Sequence, residues 1–236
     1  MRESEFTMPT VLITGANRGL GLALAERYAA RAEWQVIAVA RDTATADELS
    51  ALAARSHGRV RPLAADVADG SAIDRLAHDI GDADIDVLIN NAGAPGRTEF
   101  GALTSQDLIE LFSVNTFAPL LIAQVLRARL ARGGKVVNIT SVLGSIANAQ
   151  GSGDYLIYGM SKAALNMCSV KLAALFEPRD VAVLALHPGW VQTRMGGPDA
   201  SISVNTSADG MLRVIDGLDM RRSGAYLAYD GTPIPW

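Results

Sequence analysis

Cysteine and histidine are scarce in this chain of 236 residues: Cys168 stands alone, and the three histidines, His57, His78 and His187, are scattered along it. A lone cysteine cannot close an intramolecular disulfide, and the histidines fall at no metal-ligand spacing, which excludes a disulfide framework and a zinc site. An excess of basic residues is also missing. With 21 Lys and Arg against 25 Asp and Glu, the formal net charge of −4 argues against a nucleic-acid partner or an anionic membrane surface. No apolar run approaches the roughly 20 residues that span a bilayer, and the basic-then-apolar pattern of a secretory signal is not seen. The expected setting is cytoplasmic. Repeats, low-complexity tracts and linkers are lacking too, so one compact unit is expected over residues 8–236, with Met1–Thr7 a tag or disordered start.

What remains is ample core material, 49% hydrophobic against 19% charged. Short β-branched runs alternate with stretches of helical period. The strands are expected at Thr10–Thr14, Gln35–Ala40, Val60–Ala64, Asp86–Asn90, Lys135–Thr140 and Val181–His187, with a seventh at Ala225–Tyr229. Helices are expected near Leu20–Ala32, Ala44–Ser56, Ser71–Ile80, Gln106–Ala131 and Tyr155–Phe176. Ser71 with Asp74 and Thr104 with Asp107 look like capping boxes. This order predicts an α/β fold, a Rossmann-type doubly wound parallel sheet of about seven strands with helices on both faces. Ligands of such sheets sit beyond the carboxyl ends of the strands, where Gly144–Gly153 and Gly196–Thr206 interrupt the pattern.

The first strand runs into Thr14-Gly15-Ala16-Asn17-Arg18-Gly19-Leu20-Gly21, a turn opening a helix whose free N–H groups suit a pyrophosphate. Glycine tolerates positive φ and close backbone approach, so three here point to a dinucleotide; the plainer alternative is a tight strand–helix connection. After the second strand, where an acidic residue would take the ribose 2′-hydroxyl of NAD, stands Ala40-Arg41-Asp42. Arg41 and Arg18 can close on a 2′-phosphate from two sides, which favours NADP(H) over NAD(H). The alternative leaves Arg41 in solvent and gives the ribose to Asp42.

Tyr158 and Lys162 lie four apart on one helix face, where an ammonium would lower the phenol's pKa. Taken alone, the pair reads better as a packing tyrosine beside a solvated lysine. Tyr155 is a rival tyrosine, but Gly159 occupies the position four beyond it. Ser141 ends the fifth strand, where its hydroxyl can project into the cleft, although as a lone serine it reads better as a turn residue. Asn115 sits mid-helix, where an amide is unhelpful; it either ties the helix to a neighbour or orders water.

Jointly, Thr14–Gly21, Asn90-Asn91-Ala92-Gly93, Asn115, Ser141, Tyr158-x3-Lys162 and Pro188-Gly189 resemble the short-chain dehydrogenase/reductase family in order and spacing. The resemblance implies reduction of a carbonyl, reversible to the alcohol, on a small-molecule substrate. It makes Tyr158 the general acid, Ser141 the holder of the substrate oxygen, Lys162 the ribose-binding lysine and Asn115 the positioner of a relay water. It places Gly15, Asn17, Arg18, Gly19, Leu20 and Gly21 on the phosphates, Asp66 and Val67 on the adenine, and Asn90, Asn91, Ala92 and Gly93 along the ribose, where they also steady the sheet. Pro188, Gly189, Val191 and Thr193 flank the nicotinamide. A homodimer or homotetramer through the two long helices is implied as well.

Within the family, Gly151-Ser152-Gly153, His187–Thr193 with Met195-Gly196-Gly197, and Tyr229–Trp236 look like the C-factor and sniffer-like carbonyl reductase branch. Members of that branch allow an alternative, an NADP(H)-binding signalling protein with little turnover. Ser141 and Tyr158 are 17 positions apart where most of the family has about 13, so a longer loop is expected beside the substrate. Ala94, Pro95, Leu143, Ile146, Trp190 and Met195 suggest an apolar pocket for a ketone, aldehyde or quinone.

Overall fold

The structure is a computed structural model that describes residues 8–96, 99–149 and 153–236. Seven strands form one sheet, all parallel, in the order β3-β2-β1-β4-β5-β6-β7. They are β1 (Thr10–Thr14), β2 (Gln35–Ala40), β3 (Val60–Ala64), β4 (Ile85–Asn90), β5 (Leu130–Ile139), β6 (Ala182–His187) and β7 (Ala225–Ala228). Seven α-helices connect them among the described residues: α1 (Gly19–Ala29), α2 (Asp47–Arg55), α3 (Gly70–Asp79), α4 (Ser105–Phe112), α5 (Ala118–Val125), α6 (Leu156–Phe176) and α7 (Val204–Asp216).

Both sheet faces are buried, and the period of two along a strand divides its residues between them. Val11 and Ile13 of β1 pack with Leu24 and Tyr28 of α1, Leu49 of α2 and Met211 and Ile215 of α7. Leu12 faces the other way, into Ile73 and Leu76 of α3, Ile122 of α5 and Leu172 and Phe176 of α6. The strand order reverses between β1 and β4, which opens a crevice at their carboxyl ends.

Several local expectations are corrected. The continuous helix expected over Gln106–Ala131 is α4, a π-helical turn at Ser113–Phe117, and α5; β5 begins at Leu130, where pairing with Ile85 overrides helical period. Ser105–Val125 is long and apolar enough to cross a bilayer by length and composition, although the sequence has no such uninterrupted apolar run. Here it is packed on one side only, with Leu111, Asn115 and Ile122 buried and Ile109, Phe117 and Leu120 exposed. The α3 cap is Asp69 rather than Ser71, since the Asp69 carboxylate accepts from Ser71 N at 2.9 Å. The Thr104–Asp107 box is present in full. Helix α7 has no counterpart in the sequence reading. Gly210 weakens its propensity, yet a Cβ there would meet Tyr229 at 2.6 Å.

Candidate active site

The turn after β1 is held in shape by the end of β4. Thr14 Oγ1 accepts from Asn91 N and Ala92 N, each at 3.0 Å, and Asn91 Nδ2 donates to Thr14 O at 2.9 Å and Gly15 O at 3.2 Å. Gly15 and Gly19 have positive φ, +66° and +55°, and a Cβ on Gly21 would lie 2.2 Å from Gly15 O, so larger residues are excluded there. A Cβ on Gly19 would meet only Thr193 Cγ2, at 3.6 Å. Arg18, the N-cap, provides no side-chain acceptor, so the first N–H groups of α1 open onto that cradle. A cradle of this shape fits the pyrophosphate of a dinucleotide.

At the end of β2 the Asp42 carboxylate accepts from Ala44 N at 2.9 Å and from the Thr45 hydroxyl at 2.8 Å. Those bonds, the hydroxyl first, hold its pKa below the usual value. Arg41 and Arg18 are exposed, and neither forms an ion pair among the described residues. Asp66 is similarly turned on its own loop, accepting from Ala68 N at 3.0 Å; Val67 is half-buried against the core.

Ser141 leaves β5 as the cap of a 3₁₀ turn, Val142–Gly144, its hydroxyl accepting from Leu143 N at 3.2 Å. Tyr158 approaches it from the first turn of α6, near enough for the Ser141 hydroxyl to favour its phenolate. One turn on, Lys162 is buried, 4% exposed, its ammonium donating to Ile139 O at 2.9 Å and lying 5.8 Å from the Tyr158 ring centroid. Burial lowers the Lys162 pKa to about 8 and raises that of Tyr158, the Ser141 hydroxyl opposing the rise. The lowering of the phenol's pKa expected from Lys162 is not found: desolvation raises it, and the opposing group is the Ser141 hydroxyl.

Asn115 lies in the π-helical turn, fully buried. Its amide accepts from Ala94 N at 2.8 Å and donates to Ala94 O at 2.9 Å and Ser161 Oγ at 3.0 Å, tying α4–α5 to the post-β4 loop and α6. The side chain is the link between helix and neighbour. A Cβ on Gly93 would be 3.4 Å from Asn115 Oδ1 and 3.7 Å from Lys162 Nζ, so the ends of β4, the π turn and α6 converge.

On the far wall, Pro188 O accepts from Ser207 Oγ at 2.6 Å, Gly189 has φ +85°, Val191 is buried, and Thr193 Oγ1 accepts from Gly196 N at 3.1 Å. Trp190 Nε1 donates to Gly196 O at 2.8 Å. Leu143, Ile146, Trp190 and Met195 are between 43% and 77% exposed, and with Pro95 and half-buried Ala94 they give an apolar rim on the loops after β4, β5 and β6. Of the Gly151-Ser152-Gly153 segment, Gly151 and Ser152 lie outside the described residues, as do residues 1–7.

The sequence reading missed two buried polar links behind the site. Asn90 Nδ2 donates to Asn138 Oδ1 at 2.8 Å, and Asn138 Nδ2 to Ser169 Oγ at 2.9 Å. Thr140 Oγ1 donates to Asn166 Oδ1 at 2.7 Å, and Asn166 Nδ2 to Gly144 O at 3.1 Å. Asn90 and Asn138 in consecutive apolar strands were the available signal, since buried amides need partners. Among the described residues, no group of three His, Cys, Asp or Glu side chains could hold a metal.

The short chain dehydrogenase family model matches residues 9–201. The chain is 43% identical to the C-signal protein of Myxococcus xanthus over 155 residues, 64% of this chain and 93% of that protein. It is similar in structure to the carbonyl reductase Sniffer of D. melanogaster, with TM-score 0.89 and 32% identity over 97% of this chain and 100% of that one. An NADPH-bound carbonyl reductase from chicken fatty liver gives TM-score 0.92 and 33% identity, covering 97% and 99%.

Proposed function

The chain belongs to the short-chain dehydrogenase family, and from that premise we propose that it is an NADPH-dependent reductase of small, largely apolar ketones, aldehydes or quinones. The observation that carries the reading is the meeting of Ser141, Tyr158 and Lys162 at the carboxyl edge of the sheet, across from the Gly15–Gly21 cradle. When bound, the reduced nicotinamide supplies a hydride to the carbonyl carbon. Gly15, Asn17 and Arg18–Gly21 would hold the phosphates, with Arg18 and Arg41 on the 2′-phosphate; Asp66 and Val67 would flank the adenine. Asn91–Gly93 and Lys162 would line the ribose, and Pro188, Gly189, Val191 and Thr193 the nicotinamide.

Tyr158, its pKa raised by burial, is protonated at neutral pH and so is a proton donor rather than a base in the reducing direction. Ser141 donates a hydrogen bond to the carbonyl oxygen as charge develops on it, and Tyr158 delivers the proton there. As the phenol loses that proton, the Lys162 charge near its ring stabilises the phenolate. Asn115 holds the loop and helix that frame these groups, with its relay water part of the same reading. A cytoplasmic setting goes with it.

Self-association as a homodimer or homotetramer is supported by the exposed apolar residues Phe117 and Leu120 of the π turn and α5, and Met160, Met167, Val170 and Leu175 of α6. The likeness to the C-signal protein favours one alternative, a nucleotide-binding signalling protein with little turnover. NADPH and NADH oxidation over a panel of diketones, quinones and aromatic aldehydes separates the two. Wild-type protein should consume NADPH, at a rate that declines as pH rises through about 8, where Lys162 loses its charge. Tyr158→Phe should be slower by about 10²–10⁴-fold while still binding nucleotide. Equal turnover by the variant would remove Tyr158 from the chemistry.

A further inference from the structure

The serine assigned to the substrate oxygen is held from the opposite end of the chain. Its main-chain carbonyl accepts two hydrogen bonds, from Gly144 N at 2.8 Å and from the phenol of Tyr226 at 2.5 Å. Tyr226 is a β7 residue, 3% exposed, and burial raises the pKa of its phenol, with the Asn166 amide opposing. A bond to the Ser141 carbonyl fixes that residue's ψ, and hence the course of the turn that carries its hydroxyl.

Beyond β7 the chain doubles back. Leu227 and Pro233 form an antiparallel bridge, and Ile234 N donates to Tyr226 O at 2.9 Å. The Trp236 ring then stacks on Tyr226 with centroids 5.1 Å apart. Pro235 O accepts from Ser145 Oγ at 2.6 Å, and Trp236 O accepts from Ala147 N at 2.9 Å. The stretch Ser141–Ala147 is thereby gripped at three points by Tyr226 and the returning segment, and its other side carries the exposed Leu143 and Ile146 of the apolar rim.

We propose that Tyr226 is a positioning residue for Ser141, and that Pro233–Trp236 is the specificity-determining backing of the substrate wall between Ser141 and Ala147. The inference rests on the reductase reading above. A hydroxyl aimed at a loop carbonyl is not needed to complete the β6–β7 ladder, which is formed by main-chain groups. Its use lies in orienting the turn. The Trp236 ring, 45% exposed and stacked on Tyr226, keeps that phenol in register and anchors the returning segment from which the next two grips are made.

The test compares Tyr226→Phe, Trp236→Ala and Trp236→Phe in the full chain. It reads kcat and KM for the best carbonyl of the panel, NADPH affinity by fluorescence titration, and amide hydrogen exchange across Leu143–Asn148. Tyr226→Phe should lower kcat about tenfold, as expected for one lost orienting hydrogen bond, with NADPH affinity unchanged within about twofold. Trp236→Ala should raise carbonyl KM and speed exchange in Leu143–Asn148, each by about tenfold, and Trp236→Phe should restore both. Wild-type kcat in Tyr226→Phe, or equal losses in carbonyl and NADPH affinity, would overturn the proposal. If the wild-type chain reduces no carbonyl, the reductase reading fails separately, and exchange decides on the wall: acceleration confined to Leu143–Asn148 supports it, and unchanged exchange in Trp236→Ala overturns it.

Discussion

At the end of β2, Asp42 turns its carboxylate back onto Ala44 and Thr45, while the adjacent Arg41 is exposed. An acidic residue is thus present where NAD would need one, but its acceptor oxygens already have local donors. Arg41→Ala should therefore raise the KM for NADPH about tenfold to a hundredfold, the worth of a charge-assisted bond, and leave that for NADH nearly unchanged. Steady-state kinetics with the two nucleotides checks this. His187, at the carboxyl end of β6, makes a second residue-scale prediction. Burial lowers its pKa to about 4 from 6.5, with Asp230 opposing. Between those values the unfolded chain binds the proton and the folded chain does not, so stability is lost as pH falls from about 6.5 to about 4, by up to about 3 kcal/mol. Asp42, Asp69, Asp209, Asp219 and Asp230 all have lowered pKa values and titrate below this window. His187→Gln should flatten the fall in Tm over that range, as read by thermal melts. The sequence held the identities of these residues but not their environments, which is why Tyr158 was expected to be acidified by Lys162 and is instead raised by burial.

Among the elements, the α4–π–α5 rod bears most directly on the site. An extra residue in its turn at Ser113–Phe117 sets Asn115 against Ala94 and Ser161, elements 21 and 46 positions away. Replacing Asn115 by Ala leaves buried partners unsatisfied and should cost about 3 kcal/mol, a fall in Tm of about 6–12 °C, measurable by calorimetry. Hydrophobic period could not reveal this turn, because a π turn keeps the run apolar and shifts only the phase. Period did give all seven strands and five helical regions close to their observed places. It failed where tertiary packing set the choice: at Leu130, taken into β5 by pairing with Ile85, and at α7, whose Gly210 makes room for Tyr229.

For the whole molecule, the apolar surface of α5 and α6 carries the remaining prediction. Sizing with light scattering at micromolar concentration should give a dimer or tetramer, and Leu175→Glu or Met167→Glu, 70% and 60% exposed in the single chain, should shift it toward monomer with the fold retained. A wild-type monomer would count against the association. The amino-acid sequence by itself determined the alternation of strand and helix, the glycine turn after β1, and the pairing of Tyr158 with Lys162 on one helix face. These are properties of neighbours a few residues apart, set by backbone period and by which residues tolerate positive φ. Only the tertiary structure decided that Lys162 is buried beside Ile139, that Asn90 and Asn138 join through the core, and that Tyr226 holds Ser141 across 85 positions. Desolvation and long-range hydrogen bonds exist only after the chain has closed on itself, so no local pattern encodes them.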